Sequence, residues 1–365
     1  MSSKKSIIKE QGIRVAIDTG GTFTDFQIYD SSSGSSYELK TPTTPEDPSL
    51  GLVTGLEDAA KRFGFTLSQI DRITHGTTIA TNALLQSKFP RGALITTEGF
   101  TDILEIGRHV RKDVYSLEPE HKHILIRRRD RFGLSERMGA SGTPIKPVCH
   151  KSLESIVEKI TNNGIETIAV CLINGHVNAQ HEIEVGNQLE KFFPTLPISL
   201  STDITPEIRE YERTSSVVLN ALLRPIVETY ISNLEARLKA IGINAKVFII
   251  QSNGGVCSPA TASKEPVRLF LSGPSGGAAA ACHLSLLQNK PNLIAMDIGG
   301  TSTDVSIVFN GKTSDVYQSE IEGCALKIPM IEIRTIGAGG GSIASISKPA
   351  NLRVGPESAG ANPGP

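Results

Sequence analysis

The sequence predicts an α/β protein built from two related lobes, and two observations carry this prediction. Apolar strand-like segments alternate with helical stripes along most of the 365 residues. In addition, one eight-residue phrase occurs twice, as Asp18-Thr-Gly-Gly-Thr-Phe-Thr-Asp25 and as Asp297-Ile-Gly-Gly-Thr-Ser-Thr-Asp304, with six of eight positions identical. Each copy lies between two apolar segments, so we predict a strand, a glycine turn and a second strand at both places.

The intervening elements follow the same alternation. We predict, in chain order, a hairpin at 12–30, a helix at 50–63, a strand end at 73–78, a helix at 79–86, a strand at 93–96, a helical stripe at 153–160, a strand at 167–173, a helix at 181–192, a strand at 197–200, a long helix at 207–238 and a strand at 246–250. Pro225 should kink or split the long helix, because proline removes a helix hydrogen bond. We take this helix as the boundary between a first lobe, 1–205, and a second, 206–365.

The repeated phrase has the chemistry of a phosphate site. Paired glycines let backbone N–H groups turn toward an anion, and threonine hydroxyls add donors. A leading carboxylate can hold Mg²⁺ directly or through water. Two such loops, 279 residues apart, indicate two lobes that face one polyphosphate.

Two further glycine-rich stretches remain open in function. The stretch 271–277 precedes an alanine-rich helix, and it suits either an anion at the helix N-terminus or close packing of the helix on the sheet. The stretch 337–342 is followed by β-branched residues typical of a strand, which argues against a dinucleotide-binding fingerprint. We interpret it as a loop that faces a nucleotide or a substrate, with Gly339 and Gly340 as candidate contacts.

Isolated polar residues give weaker signals. His75, in His75-Gly-Thr-Thr78, could hold or deprotonate a substrate, and a purely structural role is the alternative. The basic segment 108–131 is either a solvated loop face or an anion-binding patch. It has no interleaved aromatic residues, so we do not expect nucleic acid as a partner.

Composition supports an ordinary globular protein. The formal net charge is −1 and the pI is near 6.7, which gives no reason to expect nucleic acid or an anionic membrane. Five scattered cysteines without a Cys-x-x-Cys pair fit a reducing compartment rather than a disulfide framework or a zinc site. The N-terminus has no apolar stretch of signal-peptide length, so we expect a cytoplasmic protein without membrane spans.

Several longer phrases resemble the hydantoinase A/5-oxoprolinase family, within the actin-like ATPase superfamily. The resemblance runs from about Ile13 to the last residue. Its motifs are the two glycine phrases, Lys40-Thr-Pro-Thr-Thr-Pro-Glu-Asp47, His75-Gly-Thr-Thr78 through Thr81-Asn-Ala-Leu84, Ala93-Leu-Ile-Thr-Thr97, Leu104-Glu-Ile-Gly-Arg108, Pro206-Glu-Ile-Arg-Glu-Tyr-Glu-Arg213, Gly337 to Ser342 and Arg353-Val-Gly-Pro-Glu-Ser-Ala-Gly360. Thr19 resembles the hydantoinase A and carboxylase-subunit branch more than the eukaryotic 5-oxoprolinases.

The resemblance implies a two-lobe, ribonuclease H-like fold with mixed sheets flanked by helices. It also implies ATP-dependent hydrolysis of a cyclic amide, a hydantoin or 5-oxoproline, through phosphorylation of the amide carbonyl. The 5-oxoprolinase branch would connect this activity to glutathione metabolism. The expected partners are the small substrate and a hydantoinase B-type subunit, a homologous half or a second copy.

Residue roles can be carried over by position. Asp18 and Asp297 would hold Mg²⁺ and orient attack, with His75 as the third catalytic candidate. The expected contacts to the phosphates of ATP come from the glycines and threonines of the two turns: Gly20, Gly21, Thr22, Thr24, Gly299, Gly300, Thr301 and Thr303.

The chain departs from this family in length. Family members are roughly twice as long, and a later glycine segment on their adenosine side does not occur before Pro365. We therefore expect a fragment or a shortened product whose second lobe is incomplete and which binds ATP poorly alone. The alternatives are a small-molecule kinase of the same superfamily and a catalytically inactive binding or assembly module.

Overall fold

The structure is a computed structural model, and it describes residues 12–21, 23–44, 47–110, 115, 124–300, 302–347 and 351–359. The helices are α1 (Pro48–Phe63), α2 (Ile79–Leu85), α3 (Ile103–Ile106), α4 (His150–Asn162), α5 (Gln180–Phe192), α6 (Ser201–Ile204), α7 (Glu210–Ala240), α8 (Pro259–Lys264) and α9 (Ser272–Leu287). The strands are β1 (Ile13–Thr19), β2 (Phe23–Asp30), β3 (Ser35–Pro42), β4 (Ile70–Thr77), β5 (Gly92–Thr97), β6 (Arg131–Leu134), β7 (Arg137–Met138), β8 (Pro144–Lys146), β9 (Thr167–Cys171), β10 (Ile198–Leu200), β11 (Lys246–Ile250), β12 (Val256–Cys257), β13 (Leu293–Ile298), β14 (Thr303–Phe309), β15 (Lys312–Thr313), β16 (Asp315–Val316), β17 (Ser319–Ile321), β18 (Cys324–Leu326), β19 (Met330–Ile331), β20 (Ile333–Ile336), β21 (Ser342–Ser347) and β22 (Asn351–Ser358).

The first sheet has six strands in the order β12-β11-β4-β1-β2-β3. Strands β1, β2 and β3 form antiparallel neighbours, and β4 and β11 join them in parallel. Strand β1 alternates, since Ile13, Val15 and Ile17 are buried on one face. The side chain of Asp18, one residue further on, therefore lies on the opposite face.

The second sheet has four parallel strands in the order β10-β9-β5-β6. Its central strands β5 and β9 are buried along their whole length, as expected for parallel strands covered on both faces. A separate apolar core forms on this sheet with α4 and α5, and includes Ile95, Val170, Ile156 and Leu189.

Helix α7 connects the two sheets. Its N-terminal half packs on β9, where the Thr214 hydroxyl donates to Cys171 Sγ at 3.2 Å, and its C-terminal half packs on α1 and below β4. Of the two outcomes predicted at Pro225, a split is wrong, because α7 is one helix of 31 residues, and a kink stays a prediction. Buried residues on both sides of Pro225, such as Leu222 and Leu234, offset the missing hydrogen bond.

The second glycine phrase forms the hairpin β13–β14, to which β15 and β20 add. Strands β11 and β12, which follow the predicted boundary at 205/206, pair with the first sheet. We therefore propose that the first structural unit continues through α9 and that the second begins at β13. Among the described helices, none is long and apolar enough to cross a membrane.

Candidate active site

The first glycine turn closes between β1 and β2. Asp18 and Asp25 are opposite each other in the strand pair, and the Gly20 N–H donates to the Phe23 carbonyl at 3.0 Å. The Thr43 hydroxyl donates to the Gly20 carbonyl at 3.0 Å. The turn is thus fixed by its own backbone and by the segment that follows β3.

The second glycine turn repeats this geometry at an offset of 279 residues. Asp297 and Asp304 are opposite each other, and the Gly299 N–H donates to the Ser302 carbonyl at 2.9 Å. The bonded pairs match the first turn position by position. The repeated phrase is therefore repeated structure as well as repeated sequence.

The two leading aspartates line one open cavity of about 780 Å³. The outer face of β1, β2 and β3 forms one wall, helix α9 forms another, and Asp297 closes the cavity from the second turn. The structure thus brings Asp18 and Asp297 together from opposite ends of the chain. The complete lining is Ala16, Ile17, Asp18, Asp25, Phe26, Gln27, Glu38, Leu39, Lys40, Arg62, Ile250, Gly273, Gly276, Gly277, Ala280 and Asp297.

The first turns of α9 face the Asp18 carboxylate. A Cβ atom at Gly273 would lie 3.1 Å from Asp18 Oδ1, and one at Gly76 would lie 3.0 Å from the same oxygen. These contacts are tighter than most Cβ atoms make, so a side chain at either position would displace the carboxylate from its present place. The helix begins at Ser272 and includes the glycine stretch, whereas the sequence suggested that this stretch only precedes the helix.

Ser272 ties this helix end to the first sheet. Its hydroxyl donates to the Thr77 carbonyl at 2.8 Å and accepts from the Thr77 N–H at 3.2 Å. Both residues are buried. The start of α9 is therefore held at the end of β4, beside the strand that carries Asp18.

The electrostatics of the cavity favour a bound cation. Burial, followed by the charges of Asp25 and Asp297, raises the pKa of Asp18, and Lys40 acts in the opposite direction. Lys40 Nζ lies 2.9 Å from Asp25 Oδ1. The lining carries four carboxylates, of Asp18, Asp25, Glu38 and Asp297, against the two cations of Lys40 and Arg62. A polyphosphate alone would be repelled by this surplus of negative charge.

The His75 side chain does not reach the cavity. His75 pairs with Ile17 across β4 and β1, on the buried face of the sheet, while Gly76 pairs with Asp18. Its Nε2 lies 2.6 Å from the Tyr230 hydroxyl of α7, and burial lowers its pKa to about 4. A shift of one residue along a strand reverses the face, which is why a motif that contains His75 supplies Gly76 to the site.

The glycines and threonines that were predicted to contact phosphate differ in what they bond to in the structure. The Thr24 hydroxyl pairs with that of Thr43 at 3.0 Å, and the Thr303 hydroxyl donates to the Ala338 carbonyl at 2.6 Å. Gly20, Gly21, Gly299 and Gly300 form the turns themselves, and among the described residues they are not part of the cavity lining. Thr22 and Thr301 lie outside the described residues.

The loop with Gly339 and Gly340 packs directly on the second turn. The Gly340 N–H donates to the Gly299 carbonyl at 2.9 Å, and the Gly341 N–H donates to the Gly300 carbonyl at 2.8 Å. The Gly339 N–H donates to the Ser342 hydroxyl at 2.8 Å. The three N–H groups are thus engaged within the protein.

Sequence reasoning missed Gly76 and the Asp25–Lys40 pair as parts of the site, and it left the role of the stretch that contains Gly273 open. The pair was accessible in principle, because Lys40 is directly opposite Asp25 in the register of β2 and β3. That register depends on the length of the turn at 31–34, which would have had to be assigned first. The closeness of Gly273 to Asp18 depends on tertiary packing and has no local signal.

Comparisons with known proteins identify the family. The family model described as the hydantoinase/oxoprolinase N-terminal region matches residues 14–193, and the hydantoinase/oxoprolinase model matches residues 213–365. The chain is 32% identical to caprolactamase subunit alpha of Pseudomonas jessenii over 364 residues, covering 98% of this chain and 52% of the relative. It is 33% identical to 5-oxoprolinase 1 of Arabidopsis thaliana over 385 residues, covering 98% of this chain and 30% of the relative.

Solved structures agree with the sequence matches. The ATP-dependent caprolactamase of Pseudomonas jessenii superposes with a TM-score of 0.88 at 32% identity, over 96% of this chain and 52% of that chain. A nucleotide-free acetone carboxylase superposes with a TM-score of 0.79 at 26% identity, over 96% of this chain and 51% of that chain. This chain therefore spans about half the length of either structure.

These matches confirm both the predicted family and the predicted fold class, an α/β architecture of the actin-like ATPase type. Five strands of the first sheet, three antiparallel ones extended by two parallel ones, agree with the ribonuclease H-like arrangement that the resemblance implied, and β12 adds a sixth strand at the edge. The caprolactamase structure is described as ATP-dependent, and the acetone carboxylase structure is described as catalysing ATP-dependent carboxylation. The chain belongs to the hydantoinase/oxoprolinase family.

Proposed function

We propose that this protein binds ATP in the cavity between its two glycine turns and uses it to open a cyclic amide. One observation carries the proposal: Asp18 and Asp297, from two copies of one phosphate-binding phrase, line the same cavity. The similarity to caprolactamase and to 5-oxoprolinase supports a cyclic amide as the substrate class. These two relatives act on different amides, so they do not identify the amide that this protein would open.

Mg²⁺ fits the residues of this cavity. Magnesium in nucleotide sites is usually held by one or two carboxylates together with phosphate oxygens. Asp18 and Asp297 would supply these carboxylates, and the ion would offset the surplus of negative charge. The described residues contain no group of three or more His, Cys, Asp or Glu side chains arranged for a metal.

The chain's own contribution would be positioning and charge neutralisation. The first turns of α9 line the cavity through Gly273, Gly276 and Gly277, and a helix N-terminus favours anions nearby. Lys40, on the exposed side of Asp25, can neutralise charge on a transferred phosphoryl group. Asp18, whose pKa is raised, lies where it can orient the acceptor or the ion.

The proposed reaction starts with attack of the amide carbonyl oxygen on the γ-phosphorus, which forms an O–P bond and releases ADP. Water then adds to the carbonyl carbon, a proton goes to the ring nitrogen, and the C–N bond breaks to leave an acyl phosphate. A second water attacks the acyl carbon, and the bond from that carbon to the phosphate oxygen breaks, which leaves a carboxylate and inorganic phosphate that keeps the original carbonyl oxygen. We propose that a hydantoinase B-type subunit or a homologous half takes part in these later steps, as the word subunit in the relatives' names suggests.

An oxygen-labelling experiment tests this reaction. The protein from its whole reading frame is incubated with Mg-ATP and with hydantoin, 5-oxoproline or caprolactam carrying ¹⁸O at the carbonyl. We expect amide-dependent phosphate release, with ¹⁸O recovered in the phosphate. An amide that is opened while all of its ¹⁸O stays in the carboxylate would contradict the proposed release of the carbonyl oxygen with phosphate, and a stable phosphorylated product would favour the kinase alternative.

A ketone is the second candidate acceptor, because acetone carboxylase superposes over 96% of the chain. Its carbonyl oxygen would be phosphorylated in the same position. The same assay with acetone or acetophenone in the presence of bicarbonate distinguishes the two. Phosphate release that depends on the ketone and not on any amide would favour this second function.

A further inference from the structure

A second cavity lies at the carboxyl ends of the parallel strands of the second sheet. It has a volume of about 710 Å³. Its walls come from the segments that follow β5, β6 and β9 and from the start of α7. The chain leaves β5 toward β6 on one side and then crosses to β9 on the other, so the cavity lies where the strand order reverses. Open parallel sheets collect their ligands at such points.

The cavity shares no lining residue with the cavity between the two glycine turns. Tyr211, in its lining, and Tyr230, which contacts His75, are nineteen residues apart on α7. At 1.5 Å per residue this is about 28 Å. The second cavity is therefore a separate site, and the inference below does not rest on the proposed function.

Three guanidinium groups line this cavity. Arg108 binds Glu212 through Nε at 2.8 Å and Nη2 at 2.6 Å, and this leaves its Nη1 without a bond to that carboxylate. Arg209 donates from Nη1 to the Gln318 side-chain oxygen at 3.0 Å. Arg137 lies over the Phe100 ring at 5.2 Å and has no carboxylate partner among the described residues.

The carboxylates near the cavity do not neutralise all three guanidinium groups. Glu212 is buried and engaged by Arg108, and Asp102 accepts from Arg128 at 2.9 Å. Glu210 is the remaining carboxylate of the lining. The wall formed by Arg137 and Arg209 thus carries an excess of positive charge.

A buried polar network holds the floor of the cavity. The Thr97 hydroxyl and His181 Nδ1 both bond to the Glu136 carboxylate, the latter at 2.7 Å, and the Ile173 N–H donates to the Thr97 hydroxyl at 2.9 Å. Thr97, Glu136 and His181 are all buried. Satisfied buried networks fix geometry, and this one fixes the ends of β5, β6 and β9 against one another.

We propose that this cavity binds a small organic carboxylate with a short apolar body. A carboxylate matches a guanidinium in shape and charge, and Arg137 and Arg209 supply that chemistry. Phe100, Ile103, Ile106 and Ile173 supply apolar surface beside them. For the basic segment 108–131, the sequence allowed an anion-binding patch as one of two interpretations. This segment contributes Arg108 to the lining of the cavity.

Matched probes that differ only in charge test the proposal. Cyclopentanecarboxylate and cyclopentanecarboxamide have the same ring, and neither contains a lactam that could enter the proposed reaction. We expect calorimetry to show carboxylate binding at least about tenfold tighter than carboxamide binding. Equal affinities, no carboxylate binding up to about 10 mM, or tighter binding of inorganic phosphate would overturn it.

Substitutions in the lining test whether the carboxylate probe binds in this cavity. Arg137→Gln should weaken carboxylate binding about tenfold or more. Two control variants should leave carboxylate binding unchanged: Asp18→Asn, and Arg334→Gln, whose wild-type side chain lies outside this cavity and is 82% exposed. Ala140 is exposed on the lining, so Ala140→Glu and Ala140→Lys keep the fold and should weaken and strengthen carboxylate binding, respectively. An Ala140 pair without opposite effects, or an Arg137→Gln protein that binds like the wild type, would contradict the assignment.

Discussion

The two glycine turns are alike in local structure and different in their surroundings. Both pair their flanking aspartates and make the same backbone hydrogen bond across the turn. However, β1 lies between β2 and β4 with Ile17 at 2% exposure, whereas in the described part of the chain β13 pairs only with β14, and the equivalent Met296 is 62% exposed. The phrase itself therefore specifies the turn, and the neighbouring strands and helices specify its packing.

The largest expected difference between the two turns is in stability. Ile17→Ala removes a core side chain between the first sheet and its helices, and it should lower the free energy of unfolding by about 3 kcal/mol. Met296→Ala, at the matching exposed position, should change it by less than about 0.5 kcal/mol. Urea unfolding of the 365-residue chain measures both, and equal costs at the two positions would contradict the difference in packing.

A second difference is pH sensitivity, which we expect only beside the first turn. The pKa of His75 is lowered from 6.5 to about 4 by burial, so the unfolded chain binds a proton between these values and the folded chain does not. Stability is therefore present above pH 6.5 and is lost as the pH falls toward 4. Between pH 7.5 and 5.0 this amounts to about 2 kcal/mol.

The variant His75→Asn provides the control for this pH dependence. It removes the titrating group and keeps a polar side chain opposite the Tyr230 hydroxyl. Urea unfolding at both pH values should show a smaller loss of stability for the variant than for the wild type. The same loss in both proteins would mean that His75 titrates normally in the folded state.

The smallest expected effect concerns the threonine hydroxyls at matching positions of the two turns. Thr24 bonds to Thr43 and Thr303 bonds to Ala338, so Thr24→Val and Thr303→Val should each lower stability by about 1 kcal/mol. Thr313→Val serves as a control outside the turns. Unchanged stability together with weakened Mg-ATP binding would instead assign these hydroxyls to phosphate contacts.

Much of the architecture follows from sequence pattern. Periodicity predicted α1, β5, α5 and β11 to within two residues, because each has an uninterrupted apolar pattern and a clear end. The repeated eight-residue phrase predicted that Asp18 and Asp297 line one site, although neither residue has a local pattern that indicates the other. Pro225 does not split α7, because tertiary burial on both sides of it stabilises the helix.

The remainder of the site depends on packing between distant segments. The position of His75 relative to Asp18 follows from which face of β4 is buried, and this requires the location of α7 to be known. The approach of Gly273 to Asp18 joins residues 255 positions apart. Such contacts leave no periodicity in the sequence.

The most direct measurement of the central claim is a double-mutant cycle for Mg-ATP binding to the protein from its whole reading frame. Asp18→Asn and Asp297→Asn should each weaken binding about tenfold or more, with Asp315→Asn, at an exposed carboxylate outside the cavity, as the control. If both aspartates serve one Mg-ATP, the double variant should bind only slightly more weakly than the weaker single variant, because the two residues act as a unit. Losses that multiply to about a hundredfold would show that the two turns act independently and would contradict the shared site.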